Sequence, residues 1–169
     1  MPTNWFIVQT GHAYGNTSLS DKGRNQIEKL RRSIVDGLSV DSRDLTIFYT
    51  PSKRGEETAR TLGKKAGRIR VKELWTDKDR PKDISASIII AHNRIMKMDI
   101  PGDNYIVVTD PEGAMQYPRY LSRKFFNQPL EFNPLLYGEA YWLSLDNEEW
   151  RSIPSDQRLY HSERVIVKG

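Results

Sequence analysis

Short apolar runs alternate with amphipathic helical patterns along this chain. The first run, WFIV at residues 5–8, is continuous rather than alternating, which is typical of a strand buried on both faces. Similar runs occur at residues 45–49 and 105–109. Between them, residues 21–36 and 53–66 carry apolar side chains three to four positions apart, as helices do. Strands that alternate with helices predict a mainly parallel sheet covered on both faces, joined by right-handed crossovers.

The remaining segments extend this pattern. A short strand is predicted at residues 69–74, and helices at residues 83–98 and 113–126. Residues 85–91 also fit a strand, so that segment has an alternative interpretation. Strands at residues 140–145 and 158–167 are joined by a polar loop containing Pro154. We therefore expect a three-layer α/β/α fold with extra C-terminal strands, as one domain over residues 1–169, because no repeat, low-complexity tract or linker divides the chain.

Composition excludes several classes of site. The 169 residues include no cysteine, so disulfides, thiolate metal ligands and cysteine nucleophiles are impossible. Three scattered histidines offer no metal cluster, and no cofactor is expected. No signal-peptide pattern or apolar stretch of transmembrane length is present, so we expect a soluble cytoplasmic protein without a membrane partner. The net charge of +4 is compatible with an anionic partner.

Polar residues follow three of the predicted strands. They lie at residues 9–12, 50–54 and 109–113. In open α/β sheets the carboxyl ends of neighbouring strands meet at one edge, where ligands bind. The sequence therefore predicts a site at that edge.

Four sequence blocks occur in a characteristic order: IVxxGxA at residues 7–13, LSDKGRNQIEKL at 19–30, FYTPSKRGEETARTL at 48–62 and IVVTDPEGAM at 106–115. This order resembles the histidine phosphatase superfamily, with its phosphoglycerate mutase-like fold. The nearest match is the small branch that includes phosphohistidine phosphatases. The resemblance covers roughly residues 5–126, and GEAYWLSLD at residues 138–146 resembles the closing strand of that branch.

The resemblance also assigns roles, residue by residue. In the family an arginine and the nucleophilic histidine follow the first strand, and Gly-Glu-Ala comes next. Here Gln9 stands at the arginine, Thr10 at the histidine and His12 at the acidic residue, while Gly11 is kept. The pocket arginine after the second strand is kept as Arg54.

Two further family positions also differ. The acid that usually follows the third strand falls near Thr76, and the second histidine falls on Asp110. Imidazole accepts and releases a phosphoryl group near neutral pH, whereas a threonine hydroxyl needs an adjacent base. An aspartate facing an anionic substrate repels it by up to ~4 kcal/mol at close approach. The sequence therefore predicts a degenerate, non-catalytic domain that serves as a binding module.

The expected ligand of such a module is an unidentified protein or a phosphorylated molecule. Residual anion binding is expected from Gly11, His12, Lys53 and Arg54. Anion binding is expected to be weaker than in the family, because Gln9 stands in place of the family arginine. Charge-assisted hydrogen bonds contribute about 1.5–3 kcal/mol, against ~1 kcal/mol for neutral ones.

Two alternatives remain open. The first is an active, divergent phosphatase that uses His12, His92 or both. If residues 87–91 form a strand, His92 rather than Asp110 takes the place of the second histidine. The second is a protein that binds nucleic acid through the basic cluster at residues 64–72, although such clusters are more often solvated helix ends.

Overall fold

The computed structural model describes residues 2–15, 17–36, 45–64, 70–73, 84–154 and 163–164. The strands of this part of the chain are β1 (Asn4–Gln9), β2 (Leu45–Tyr49), β3 (Arg70–Glu73), β4 (Asn104–Thr109), β5 (Ala140–Ser144), β6 (Glu149–Ile153) and β7 (Glu163–Arg164). The α-helices are α1 (Asp21–Arg31), α2 (Lys53–Gly63), α3 (Ile84–Met98) and α4 (Pro111–Phe126).

The strands form one sheet in the order β3-β2-β4-β1-β5-β6-β7. The four strands β3, β2, β4 and β1 run parallel, and β5, β6 and β7 continue the sheet antiparallel. β1 lies between β4 and β5, with Trp5 opposite Tyr105 on one side and Leu143 on the other. The prediction of a mainly parallel sheet with added C-terminal strands is confirmed.

The side chains of β1 alternate between two separate hydrophobic cores. Trp5 and Ile7 belong to the core shared with α3 and α4. Phe6 and Val8 face the opposite side, where the core includes residues of α1 and α2. Since successive side chains of a strand point to opposite faces, the continuous apolar run reflects helices on both sides. The predicted three-layer α/β/α fold is therefore confirmed.

Several element boundaries differ from the predictions. Residues 84–98 form helix α3, so the alternative strand at residues 85–91 is wrong. α4 begins at Pro111 rather than at residue 113, because proline suits the first helical position and Asp110 caps the helix. α1 ends at Arg31 and continues as a π-helical turn, Arg32–Asp36. α2 ends at Gly63, and the predicted helical residues 65 and 66 lie outside the described part of the chain.

The strand β6 was missed, because residues 149–153 were predicted to belong to a polar loop. Trp150 and Ile153 are its buried side chains, and three polar residues occupy its other positions. So few apolar residues do not produce the alternation that marks a strand. Of the predicted strand at residues 158–167, only Glu163–Arg164 is described, as β7.

Gly23 is where α1 approaches the loop that follows β1. A Cβ atom built on Gly23 would overlap the backbone carbonyl oxygen of His12, and it would lie 2.9 Å from the backbone nitrogen of the same residue. Both contacts are with backbone, so a rotamer change cannot relieve them. The glycine of the second sequence block is thus explained by close packing of the loop on α1.

We predict that Gly23→Ala destabilises the protein by about 1–3 kcal/mol, the usual cost of overpacking. A glycine-to-alanine change inside a helix otherwise stabilises it by roughly 1 kcal/mol. A loss of stability on Gly23→Ala would therefore itself indicate the close packing. Urea unfolding measures the difference. Asn25→Ala, at an exposed position of α1, is the matched control and should change the free energy of unfolding by less than about 0.5 kcal/mol. A stabilised Gly23→Ala variant would contradict the packing described here.

Candidate functional site

The carboxyl ends of β1, β2 and β4 meet at one edge of the sheet. The Thr10 N–H donates to the Thr109 carbonyl over 3.2 Å, which links the ends of β1 and β4. The Gly11 N–H donates to the Thr58 hydroxyl over 3.1 Å, which links the same loop to α2. The predicted segments are thus adjacent, but the Gly11 N–H already has an acceptor within the protein and is not free to bind an anion.

Three helices begin at this edge, and each has a side-chain cap. Ser20, Ser52 and Asp110 cap α1, α2 and α4, and each accepts a hydrogen bond from the N–H of the glycine three residues further on. Helix N-termini carry partial positive charge, which favours anions nearby. Asp110, the residue that the resemblance places at the second family histidine, has a structural role: its carboxylate caps α4 and accepts the Gly113 N–H over 2.8 Å.

Gln9 and Thr10 are enclosed at the end of β1. Their exposed fractions are 3% and 1%, and neither Gln9 Oε1 nor Thr10 Oγ1 has a hydrogen-bond partner within the described ranges. The chain returns against them before β5: the Gly138 N–H donates to the Thr10 carbonyl, and the Gln9 N–H donates to the Glu139 carbonyl. The position that the resemblance assigns to the nucleophile is closed to solvent.

His12 lies just beyond this closed end and is half-buried. Its Nδ1 lies 2.7 Å from the Ser20 hydroxyl, and its N–H donates to Gln26 Oε1 over 3.2 Å. The rings of Tyr14 and Tyr137 meet the imidazole edge-on, with centroids 5.1 and 5.4 Å away. These contacts fix the ring and leave Nε2 as its atom without a partner among the described residues.

Arg54 and Lys53 provide cationic side chains at the start of α2. Arg54 is half-buried and forms no ion pair or hydrogen bond within the described ranges. Lys53 is exposed, and its Nζ lies 3.9 Å from Glu57 Oε1. Since an exposed, partly neutralised lysine binds an anion weakly, Arg54 is the main cation available here.

Glu57 is an acidic member of the site that the sequence did not single out. Its Oε2 accepts the Leu19 N–H over 2.7 Å. Burial raises the pKa of Glu57, but the hydrogen bonds from Leu19 and Ser18 and the charges of Lys53 and Arg24 outweigh it and lower the pKa below its usual value. The charged carboxylate offsets part of the positive potential. Its spacing of four residues from Lys53 on a helix was the available signal.

His92 is not part of this site. It lies on α3 with no exposed surface, its Nδ1 is 3.0 Å from the Tyr117 hydroxyl, and its Nε2 has no partner. Its ring centroid is 5.4 Å from that of Trp5, near the amino end of β1, whereas His12 follows the carboxyl end. The two histidines therefore do not flank one cleft. Burial, and secondarily the charge of Lys124, lower the pKa of His92 to about 4.

Other predicted features lie partly outside the described residues. Thr76 falls there, as do residues 65–69 of the basic cluster; of residues 70–72 the structure gives only the backbone strand. In the ranges that are described, no group of three or more His, Asp or Glu side chains is placed to hold a metal ion. None of the helices there combines the length and the apolar character needed to cross a membrane.

Solved structures share this arrangement of sheet and helices. SixA of Agrobacterium tumefaciens, named as a phosphohistidine phosphatase, matches with a TM-score of 0.58 at 13% identity, over 90% of this chain and 97% of that one. A mycobacterial glucosyl-3-phosphoglycerate phosphatase in complex with inorganic phosphate also matches with 0.58 at 15% identity, over 93% and 98%. This is the histidine phosphatase fold.

A further structure with the histidine phosphatase fold is a SixA protein histidine phosphatase complexed with tungstate. Its TM-score is 0.54 at 12% identity, over 96% of this chain and 94% of that one. No protein-family model and no curated protein matches the sequence. At such low identity the likeness establishes the fold, and the side chains at the strand ends carry the functional argument.

The buried position of His92 predicts a pH-dependent stability. A folded-state pKa of about 4, against 6.5 in the unfolded chain, means that the unfolded state takes up the proton first. Stability from the neutral imidazole is thus complete above pH 6.5 and is lost as the pH falls toward 4, by about 3 kcal/mol.

Urea unfolding of the parent and of His92→Gln between pH 4.5 and 7.5 measures this effect. We expect the parent to lose more stability than the variant as the pH falls, because glutamine does not titrate. Parallel profiles for the two proteins would show that His92 is not held neutral by its surroundings.

Proposed function

We propose that this chain is a non-catalytic domain of the histidine phosphatase fold, which binds a protein or a phosphorylated ligand and retains weak affinity for anions. The observation that carries the proposal is the enclosure of Thr10. With 1% exposure it occupies the position that the resemblance assigns to the phosphoryl-accepting histidine. A hydroxyl that solvent cannot reach, and that has no hydrogen-bond partner in the described part of the chain to activate it, is not an effective nucleophile.

The weak anion affinity is supported by the charges at the same edge. The helix N-termini favour a negative ligand, and so does Arg54, which has no partner among the described residues. Against them stand the carboxylates of Glu57 and Asp110, and the Gly11 N–H that is already donated to Thr58. The balance favours binding of phosphate over its turnover.

A second candidate function, a divergent phosphatase, is favoured by one contact. The 2.7 Å approach of His12 Nδ1 to Ser20 holds the imidazole in a fixed orientation, with Nε2 as its remaining reactive atom. A nucleophilic histidine requires such orientation. His12 is thus the residue on which activity, if observed, would depend.

We predict no hydrolysis of p-nitrophenyl phosphate or of a phosphohistidine peptide above the rate in buffer. The reason is that no imidazole stands at the first family position and a carboxylate stands at the second. Release of p-nitrophenol and of inorganic phosphate measures the rates. Turnover that disappears in His12→Ala, together with a trapped phosphoprotein, would establish the divergent phosphatase instead.

We also predict that inorganic phosphate binds with millimolar-range affinity and that Arg54→Ala weakens it about tenfold or more, since one charge-assisted contact contributes about 1.5–3 kcal/mol. Chemical-shift titration with phosphate measures the affinity. Arg60→Ala is the matched control, because Arg60 lies on the same helix and pairs with Glu56. Equal losses in both variants would show that α2 contributes only diffuse charge.

A further inference from the structure

A groove between α3 and α4 lies on the sheet face opposite α1 and α2. It holds a cavity of about 260 Å³ lined by Ile88, Ile89, Gln116, Arg119, Tyr120 and Arg123. The four residues from α4 recur at the spacing of one helical face. Sites that hold a whole small-molecule ligand usually measure about 300–1,000 Å³, so this cavity suits a single anchoring side chain.

The floor of the groove is apolar and partly open to solvent. Ile88 is buried, while Ile89 beside it is 46% exposed. The ring of Tyr120 forms part of the α4 wall and lies 5.2 Å from the buried His92 ring, which ties this wall to the core. An exposed isoleucine at a preformed cavity is suited to contact an apolar anchor.

The rim of the groove is positively charged. Arg119 is paired with Glu131 over 2.8 Å, which neutralises it. Arg123 is exposed and forms no ion pair within the described residues, and Lys124 lies with its Nζ 5.9 Å from the Tyr120 ring centroid. Arg123 at the groove and Lys124 beside the Tyr120 ring are thus two cations without a carboxylate partner among the described residues.

We propose that this groove binds an acidic peptide segment of a partner protein, which inserts one bulky apolar side chain between α3 and α4 and places its carboxylates against Arg123. Charge complementarity selects this occupant. Charge-assisted arginine–carboxylate pairs supply orientation, and the buried anchor supplies most of the affinity.

Two other occupants fit the groove less well. A second copy of this chain, docked symmetrically, would bring Arg123 toward its own counterpart, and like charges in an interface are unfavourable. The phosphates of a nucleic acid would pair with the cations, but they would not bury the exposed apolar side chain of Ile89. Both are distinguishable outcomes of the experiment below.

The test uses the full chain and fluorescein-labelled peptides of the form Glu-Asp-Glu-X-X-Glu-Asp-Glu, where X-X is drawn from pairs of Leu, Ile, Met, Phe and Trp. Fluorescence anisotropy measures binding. We expect saturable binding by members of this panel, at least tenfold tighter than the Ala-Ala peptide and the charge-reversed Lys/Arg peptide. Arg123→Glu and Ile89→Ser should each weaken the best peptide at least tenfold.

Matched controls lie away from the groove. Lys22→Glu makes the same charge reversal at an exposed position of α1, and Met98→Ser removes an exposed apolar side chain at the end of α3. Both should stay within twofold of the parent, and circular dichroism should show all variants folded. These results would be independent of phosphate binding at Arg54.

Three results would overturn the proposal. One is a panel in which no peptide binds better than its Ala-Ala counterpart. Another is an equal loss of affinity in Arg123→Glu and Lys22→Glu, which would indicate non-specific charge. The third is sedimentation showing a dimer dissolved by Arg123→Glu, or displacement of the peptide by short single-stranded DNA at equal concentration, since either would assign the groove to a different occupant.

Discussion

The enclosure of β1 on both faces and along both edges is the constraint on which the rest of the structure depends. Trp5 to Val8 have no exposed surface, and the strand is hydrogen-bonded to β4 on one side and to β5 on the other. Apolar side chains are the ones that this environment tolerates, so the first polar residues appear where the strand ends. The location of the candidate site therefore follows from the burial of the strand before it.

At that edge, side chains of the same chain accept the hydrogen bonds of loop backbone donors. Three backbone N–H groups of the loop before α1, at Gly11, His12 and Leu19, each donate to a side chain of this chain. Their acceptors are Thr58, Gln26 and Glu57. Buried donors need partners, and internal partners make the loop rigid without a ligand. A binding role for this edge then rests on side chains, Arg54 and His12, rather than on backbone.

Much of the fold could be predicted from periodicity, because buried strands and amphipathic helices leave strong patterns. The strand β1 and the helices α1 and α2 are examples. The strand β6 could not be predicted in this way. It has only two buried residues, so its sequence pattern is nearly indistinguishable from that of a loop.

The candidate site was less predictable than the fold, because the role of a side chain depends on where the folded backbone places it. Asp110 could be read as a substitute for a catalytic histidine, yet its carboxylate serves α4 as a cap. His92 was an alternative for the second family histidine if a strand preceded it, yet it lies on a helix and its ring packs in the core against Trp5. In both cases local secondary structure decided the role. The enclosure of Thr10 depends on Gly138, which no local pattern connects to it.

The position of β1 also bears on the order in which the chain can assemble. In the sheet Asn4 lies opposite Asn104 on one side and Ser144 on the other. During synthesis, β1 cannot form its interstrand hydrogen bonds until β4 and β5 have been made. Contacts so distant in sequence slow folding. A nascent chain released before β5 would expose an apolar strand edge, which is the kind of surface that aggregates or recruits a chaperone.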